Sequence, residues 1–313
     1  MRLVTYDFEG DWRAGIIIDD KVVDSLSASR AAKIVSDGVV TGITNRAIIQ
    51  MTLDQQSQLE QAAHDLAFSS TPQDVHLVED LRLGPPLPDP DKIICLGLNY
   101  RSHAEEAGFT PPEIPILFAK FRNALTGPTD SIILPNLSEE IDYEGELAVV
   151  IGKQCKHAPV EKALDYVAGY MVLNDISARD LQFRTGQWLS GKTLDTFAPC
   201  GPALVIGEIR DPQNLDVTTH INGQVFQQSN TRNMIFSVAF SISYISQLMT
   251  LEPGDIISTG TPEGVGFKRN PPVFLHPGDI IEVEIEKIGR LRNPVVGHEQ
   301  LYDFKRRLKT QKL

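Results

Sequence analysis

The chain has 313 residues, of which 42% are hydrophobic and 22% charged, as in a globular protein that can bury a core without disulfides. Its 41 acidic residues outnumber the 29 basic ones, and the net charge of −12 disfavours nucleic acid as a partner because phosphates are repelled. No apolar run reaches the roughly 18 residues of a membrane span, and three scattered cysteines predict a reducing, cytoplasmic location.

The first part of the chain predicts a small β-rich N-terminal domain over residues 1–83. Short β-like runs at 3–6, 15–18 and 22–23 surround a predicted hairpin turn at Asp19-Asp20. Apolar spacing predicts one helix over 45–67. Residues 84–90 hold four prolines, which can continue neither a helix nor a central strand, so this segment is predicted to be a linker.

The remaining chain predicts a larger domain over 91–298, followed by a basic tail at 299–313. The tail is interpreted as a solvated helix end or a subunit contact. Two Pro-Gly-Asp turns each precede a predicted strand. Strands do not alternate regularly with a helix, so the class is α+β, and neither a Rossmann sheet nor a TIM barrel is expected. The predicted elements are strands at 93–98, 146–151, 171–174, 203–206 and 216–228, the last with an Asn222-Gly223 hairpin, and a helix at 234–249.

Acidic residues lie at the ends of two apolar strands. Glu144 and Glu146 share one face of a strand, where their like charges repel unless a cation lies between them. Asp175 follows the strand at 171–174. Three carboxylates without Cys or His predict a hard oxygen site for Mg²⁺, Mn²⁺ or Ca²⁺ rather than Zn²⁺. Asp142 has the same parity and could replace either glutamate, and the alternative is an exposed strand edge.

Further residues predict acid–base chemistry. His103 and Glu106 are three apart, so a helical turn brings them together, and a carboxylate that orients an imidazole suits a general base. The alternative is a surface capping pair. Lys120 and Lys192 could each reach an anionic substrate or stabilise an oxyanion, or could be surface lysines. The glycine-rich run at 259–266 is neither a P-loop nor a dinucleotide motif, and its N–H groups could hold a carboxylate.

Taken together, these segments resemble the fumarylacetoacetate hydrolase family. The motifs that carry the resemblance are LNYRSHAEE (98–106), DYEGELAVVIGK (142–153), NDISARDLQ (174–182), GKTLDTFAPCGP (191–202), LEPGDIISTGTPEGVG (251–266) and HPGDIIEVEI (276–285). The resemblance implies a mixed β-sandwich roll as the catalytic domain, a homodimer and a divalent metal, usually Mg²⁺, with Mn²⁺ in its place or Ca²⁺ as a substitute. It assigns the metal ligands to Glu144, Glu146 and Asp175.

The resemblance also implies roles for the other residues. His103, Glu106 and Lys192 are expected to be catalytic, with the first two on a lid. Substrate binding falls on Arg179, Gln182, Lys120 and Thr261.

The expected substrate is a small 2-oxo or β-diketo acid that reacts through an enolate stabilised by the metal. We expect C–C bond hydrolysis of an acylpyruvate. The alternatives are oxaloacetate keto–enol tautomerisation or decarboxylation, or a non-catalytic protein that binds metal. No nucleic acid or membrane partner is expected.

Overall fold

In the computed structural model the described residues are 1–36, 42–69 and 74–299. In chain order their strands are β1 (Arg2–Phe8), β2 (Asp11–Ile18), β3 (Lys21–Asp24), β4 (Val75–Leu77), β5 (Leu83–Gly84), β6 (Ile93–Gly97), β7 (Ile116–Lys120), β8 (Leu125–Thr126), β9 (Ile132–Leu134), β10 (Ile141–Asp142), β11 (Gly145–Ile151), β12 (Val167–Asn174), β13 (Ser177–Ala178), β14 (Ala198–Val205), β15 (Asp216–Ile221), β16 (Gln224–Asn230), β17 (Ile256–Ser258), β18 (Ile280–Ile285) and β19 (Gly289–Gly297).

Helices are fewer and mostly short. They are α1 (Ser25–Ala31), α2 (Asn45–Ile49), α3 (Leu53–Ala67), α4 (Arg101–Ala107), α5 (Arg179–Gln182), α6 (Leu189–Lys192) and α7 (Val238–Leu248). In this described part of the chain, no helix is both long and apolar enough to cross a bilayer. Residues 300–313 of the predicted basic tail lie outside the described residues.

A twelve-stranded sheet dominates the fold. Its main path runs β4-β3-β2-β1-β14-β12-β11-β17-β6-β7, while β5 pairs with β1 and β8 with β14. A five-stranded sheet has the order β16-β15-β18-β19-β9, and β10 pairs with β13. Most pairs are antiparallel, and helices do not alternate regularly with strands. The predicted α+β class is therefore confirmed.

The core lies on both faces of the large sheet. Strand β11 is buried along its whole length, so its alternate residues enter two clusters. Leu147 and Val149 pack with Val283 of the smaller sheet, while Ala148 and Val150 belong to a cluster with the N-terminal helices. Because both faces of β11 are buried, its sequence is a continuous run of apolar residues rather than an alternating pattern.

The large sheet also crosses the predicted linker. Arg2 and Leu3 of β1 pair with Val205 and Leu204 of β14, so N-terminal residues hydrogen-bond to a strand of the larger predicted domain. The division at residues 84–90 stays a prediction about folding units, while the hydrogen-bonded sheet spans it.

Two details of the predicted elements differ. The helix expected over 45–67 is interrupted, because Thr52 and Gln55 form a capping box that begins α3. The helix expected over 234–249 begins only at Val238, since the Ser237 hydroxyl accepts a hydrogen bond from the Phe240 N–H. The predicted hairpins at 19–20 and 222–223 are confirmed.

Candidate active site

The three predicted metal ligands converge where β11 begins and β12 ends. Because the strands are antiparallel, Gly145 pairs with Asn174, which places Glu144 beside Asp175. The Asp175 N–H donates to the Glu144 carbonyl at 2.8 Å. Glu144, Glu146 and Asp175 are all buried, and one carboxylate oxygen from each lies within 4.8 Å of the others. The exposed-edge alternative for the glutamates is therefore wrong.

Buried cations surround these carboxylates. Lys192 Nζ lies 2.6 Å from Glu144 Oε2 and 2.9 Å from Asp175 Oδ2. Arg179 Nη2 lies 2.7 Å from Glu144 Oε1, and Lys120 Nζ lies 2.7 Å from Asp175 Oδ1. Burial costs each of these charges its hydration, so removing one partner would leave another charge uncompensated.

Asp142 does not take the position of a metal ligand, although its spacing from Glu144 and Glu146 allowed it to replace either of them. Its carboxylate lies 2.8 Å from Arg179 Nη2 and accepts hydrogen bonds from the backbone N–H groups of Gly266 and Phe267. These contacts occupy both oxygens of Asp142, and it is not part of the converging set. Asp142 therefore fixes Arg179 rather than replacing Glu144 or Glu146.

The cluster contains more negative than positive charge. Asp142 and the three converging carboxylates face three cations. Glu146 accepts hydrogen bonds from Ser258 Oγ at 2.5 Å and from the Gly260 N–H at 2.8 Å. Burial, together with the charges of Asp175 and Glu144, raises the pKa of Glu146 well above its ordinary value. An additional cation would relieve this repulsion.

The neighbouring pKa values follow from the ion pairs. Burial raises the pKa of Glu144, but the Lys192 and Arg179 charges outweigh burial and bring that pKa far below its usual range. Burial lowers the pKa of Lys192, but Asp175 and Glu144 outweigh it, so the Lys192 pKa is raised. Lys192 therefore remains an ammonium between two carboxylates.

These residues fit a divalent cation. The donors are three buried carboxylates from neighbouring segments, Glu144, Glu146 and Asp175, which is the oxygen set that Mg²⁺ or Mn²⁺ prefers. Burial and the repulsion from Asp175 and Glu144 together raise the Glu146 pKa, and that repulsion is the physical reason for a cation there. Which ion binds stays a prediction.

The predicted His103–Glu106 pair lies on α4. His103 is buried and its Nδ1 lies 3.7 Å from Glu106 Oε2, which is wider than a direct hydrogen bond. Glu106 instead accepts the Gly264 N–H at 2.9 Å, and Ser102 Oγ donates to the Glu263 carboxylate. Helix α4 is thus held to the glycine-rich loop by Ser102 and Glu106. Because His103 is buried, the alternative of a surface capping pair is wrong.

Seven of the ten predicted site residues line one cavity of about 30 Å³, enough for one or two water molecules, whereas Glu106, Lys120 and Asp175 are not among its lining residues. Its lining includes predicted metal ligands, His103, Lys192 and three of the four predicted substrate-binding residues, Arg179, Gln182 and Thr261. A substrate needs more room, so α4 or nearby side chains must move for entry.

The fourth predicted substrate-binding residue is placed differently. Lys120 Nζ is sealed behind Asp175, where it donates to the backbone carbonyls of Ile176, Phe197 and Lys192. Burial lowers its pKa. These contacts fix Asp175 and the chain before Thr193, so the geometry supports a structural task for Lys120 and no contact with substrate.

Some site residues were not predicted from the sequence. Ser258 holds Glu146 together with Gly260; Gly260 lies in the glycine-rich run that was predicted to hold a carboxylate, and the position of Ser258 directly before that run was the available signal. Asn174 accepts the Glu144 N–H at 3.1 Å, and its place before Asp175 gave no separate signal. The aromatic lining of the cavity was missed as well.

Comparisons with known proteins agree with this geometry. A family model described as fumarylacetoacetate (FAA) hydrolase C-terminal matches residues 92–296. A Dictyostelium discoideum protein named fumarylacetoacetate hydrolase domain-containing protein 2 homolog is 45% identical and covers 94% of this chain and 97% of its own. The Rattus norvegicus protein named oxaloacetate tautomerase Fahd2a, mitochondrial, is 52% identical over 67% of this chain and 68% of its own.

Solved structures share the fold over nearly the whole chain. Fumarylacetoacetate hydrolase from Exiguobacterium antarcticum has a TM-score of 0.77 and 33% identity, covering 95% of this chain and 100% of its own. Maleylpyruvate hydrolase from Sphingobium has a TM-score of 0.75 and 32% identity, with the same coverage of both chains.

Proposed function

The chain belongs to the fumarylacetoacetate hydrolase family, and on that premise we propose that it catalyses the keto–enol interconversion of 2-oxo acids, with oxaloacetate as a substrate. The observation that carries the proposal is the convergence of three buried carboxylates beside Lys192, two of which, Glu144 and Glu146, line a cavity together with His103. Several relatives are named oxaloacetate tautomerases, which favours this reaction over the C–C hydrolysis expected from the sequence.

Glu144, Glu146 and Asp175 would hold Mg²⁺ or Mn²⁺, which when bound would supply Lewis acidity at the carboxylate and 2-oxo oxygens of the acid. Lys192 places a second positive charge beside the same oxygens, where negative charge develops as the C3 proton leaves. Arg179 and Gln182 bind and orient the acid.

His103 is the residue proposed to move the proton. It takes a proton from C3 of the keto acid, and a proton returns to the 2-oxo oxygen, so the keto and enol forms differ only in the position of one proton and one double bond. Glu106 orients the imidazole once α4 settles over the substrate. Closure of the small cavity excludes bulk water, which protects the enol from side reactions.

A second candidate is C–C hydrolysis of an acylpyruvate. It is favoured by the likeness to a maleylpyruvate hydrolase and by a cavity that can hold a water molecule beside His103. In this reaction His103 would deprotonate that water, and hydroxide would add to the distal carbonyl. The carbon–carbon bond would then break to release pyruvate and the second acid.

One assay separates the candidates. Purified protein with Mg²⁺ is given oxaloacetate, acetylpyruvate and fumarylpyruvate, while enol absorbance, CO₂ and pyruvate are followed separately. Enol loss from oxaloacetate that exceeds the uncatalysed rate, without CO₂, supports the tautomerase. Pyruvate from the acylpyruvates supports the hydrolase, and CO₂ from oxaloacetate supports decarboxylation. The matched control is Glu146→Gln protein, and no acceleration in any arm would contradict an enzymatic role.

The homodimer and the cytoplasmic location stay predictions. Size-exclusion chromatography with light scattering tests the first. Several relatives carry the word mitochondrial in their names, so fractionation of cells that express the full chain tests the second.

A further inference from the structure

Aromatic side chains line the same cavity as the carboxylates. Their rings come from separate segments of the chain: Phe109 follows α4, Phe118 lies on β7, Phe183 and Trp188 lie between α5 and α6, and Phe267 follows the glycine-rich loop. None of these rings is needed to hold a cation or to move a proton. The proposed chemistry therefore does not explain this wall.

The wall is built from two packed pairs. The Phe118 and Trp188 rings meet edge to face with centroids 5.5 Å apart, and the Phe183 and Phe267 centroids lie 5.7 Å apart. A Cβ at Gly97 would lie 2.4 Å from the Trp188 ring, so glycine there lets the indole rest against β6. The position of Trp188 is thus supported by the backbone beneath it.

Part of the aromatic surface faces solvent. Phe109 and Phe183 are each 48% exposed, although both line the cavity. Large apolar side chains cost free energy when they face water, and burying one against an apolar ligand recovers part of that cost. The rim of the cavity is therefore suited to an apolar group that extends beyond the reacting carbons.

The cations of the cavity are already paired. In the described residues that line it, Arg179 contacts Asp142 and Glu144, and Lys192 contacts Glu144 and Asp175. A carboxylate on the distal end of a substrate would be desolvated against rings, which is costly without a new partner. Among the described residues outside the cavity lining, Lys268 is the cation that lies over one of these rings, with Nζ 5.0 Å from the Phe267 centroid.

We propose that this site prefers 2-oxo acids that carry a flat apolar group beyond C3, the arylpyruvate class, over acids with a second carboxylate. This rests on the proposed 2-oxo acid site and extends its substrates beyond oxaloacetate. The carboxylate and 2-oxo end would bind at the cation that Glu144, Glu146 and Asp175 would hold, and the apolar group lies against Trp188 and Phe183. Those two residues determine specificity.

Binding of unreactive acids tests the preference without turnover. N-benzyloxamate and N-oxalylglycine share the oxamate end and differ in a phenyl group against a carboxylate. With Mg²⁺ present, calorimetry is expected to show N-benzyloxamate binding at least about ten-fold more tightly. Equal or tighter binding of N-oxalylglycine would overturn the proposal, and so would the absence of binding by either acid.

Variants locate the preference. Trp188→Ala and Phe183→Ala are expected to weaken N-benzyloxamate about ten-fold while N-oxalylglycine changes less than about three-fold. Phe240→Ala on α7 is the matched control, because Phe240 is 38% exposed and does not line the cavity. Lys268→Ala should leave both affinities unchanged, and a selective loss of N-oxalylglycine binding would instead identify a carboxylate subsite there.

Turnover separates this proposal from the proposed function. Phenylpyruvate and oxaloacetate are compared in the same keto–enol assay, and phenylpyruvate is expected to give the larger kcat/KM. If only oxaloacetate is turned over and N-oxalylglycine binds more tightly, the specificity proposal fails and the tautomerase stands. If N-benzyloxamate is preferred but neither acid is isomerised, the tautomerase fails and the apolar subsite stands.

Discussion

Lys120 and Asp175 form an ion pair sealed from solvent, with Lys120 Nζ 2.7 Å from Asp175 Oδ1 and both side chains without exposed surface. Lys120→Met removes the cation and leaves a buried carboxylate with one fewer partner. We expect a loss of about 3–5 kcal/mol in unfolding free energy, measured by chemical denaturation.

The Lys120 variant should also weaken Mg²⁺ binding, because Asp175 can rotate once Nζ no longer holds Oδ1. The matched control is Lys92→Met, whose pairing with Asp255 at 2.8 Å involves a lysine that is 29% exposed. A Lys120→Met protein as stable as this control would show that the sealed pair contributes little.

Glu146→Gln keeps the shape of the side chain and removes one charge from the cluster. Loss of a residue that only hydrogen-bonds a metal ligand lowers metal affinity about 10–100-fold, and we expect a larger fall here because Glu146 is itself a proposed ligand. Calorimetric titration with Mg²⁺ or Mn²⁺ measures the change, and Glu284→Gln, at a side chain of β18 that is 41% exposed, is the control. Unchanged affinity would remove Glu146 from the proposed ligand set.

His103→Ala should separate proton transfer from metal binding. Because His103 is not among the converging carboxylates, we expect unchanged metal affinity and a fall in kcat of about 10²–10⁴-fold. Parallel calorimetry and keto–enol assays measure both quantities. A loss of metal affinity in this variant would make His103 a ligand and contradict the assigned role.

The contact between Glu106 and the Gly264 N–H predicts a pH dependence of α4. Burial raises the pKa of Glu106, but His103 and the Gly264 N–H outweigh burial, so this pKa lies below its ordinary value of 4.5. A carboxylate whose pKa is lowered in the folded state stabilises the observed position of α4 fully at pH values above that ordinary value. The stabilisation is then lost as the pH falls through the lowered pKa.

Hydrogen exchange of α4 amides, corrected for the intrinsic rate, measures this effect. Protection should be constant above about pH 5 and decrease in more acidic solution. Glu106→Gln should remove that decrease, and the amides of α7 serve as the internal control because its capping Ser237 does not titrate. Protection of α4 that increases towards acidic pH would contradict the assignment.

The three converging carboxylates show how much of the site can be predicted from the sequence. The spacing of Glu144 and Glu146 predicts a shared face, and hard-ligand chemistry predicts a cation. The approach of Asp175 depends on the register that pairs Gly145 with Asn174, which is a contact distant in sequence that no local pattern encodes. The position of Asp175 after an apolar strand makes it a candidate, and the family resemblance assigns it to the same site as the glutamates.

Other features depended on the same kind of distant contact. Lys120 reads as a surface or substrate-contacting lysine until β7 is placed at the edge of the sheet, beside β6. The interruption between α2 and α3, in contrast, was present locally, since Thr52 and Gln55 have capping-box spacing. Helix caps can thus be predicted from local sequence, whereas buried ion pairs between distant residues cannot.

The pairing of β1 with β14 has a practical consequence for anyone who trims this protein. A fragment that starts at Asp91 would retain every proposed ligand, yet it would uncover backbone donors and acceptors along an apolar strand that includes Leu204 and Val205. The unpaired N–H and C=O groups of an exposed edge strand can form hydrogen bonds with a strand of another chain, which causes aggregation. Strand β1, within the first eight residues, therefore covers the edge of β14 and prevents non-native association there. A fragment that lacks these residues should precipitate unless another strand pairs with β14 in their place.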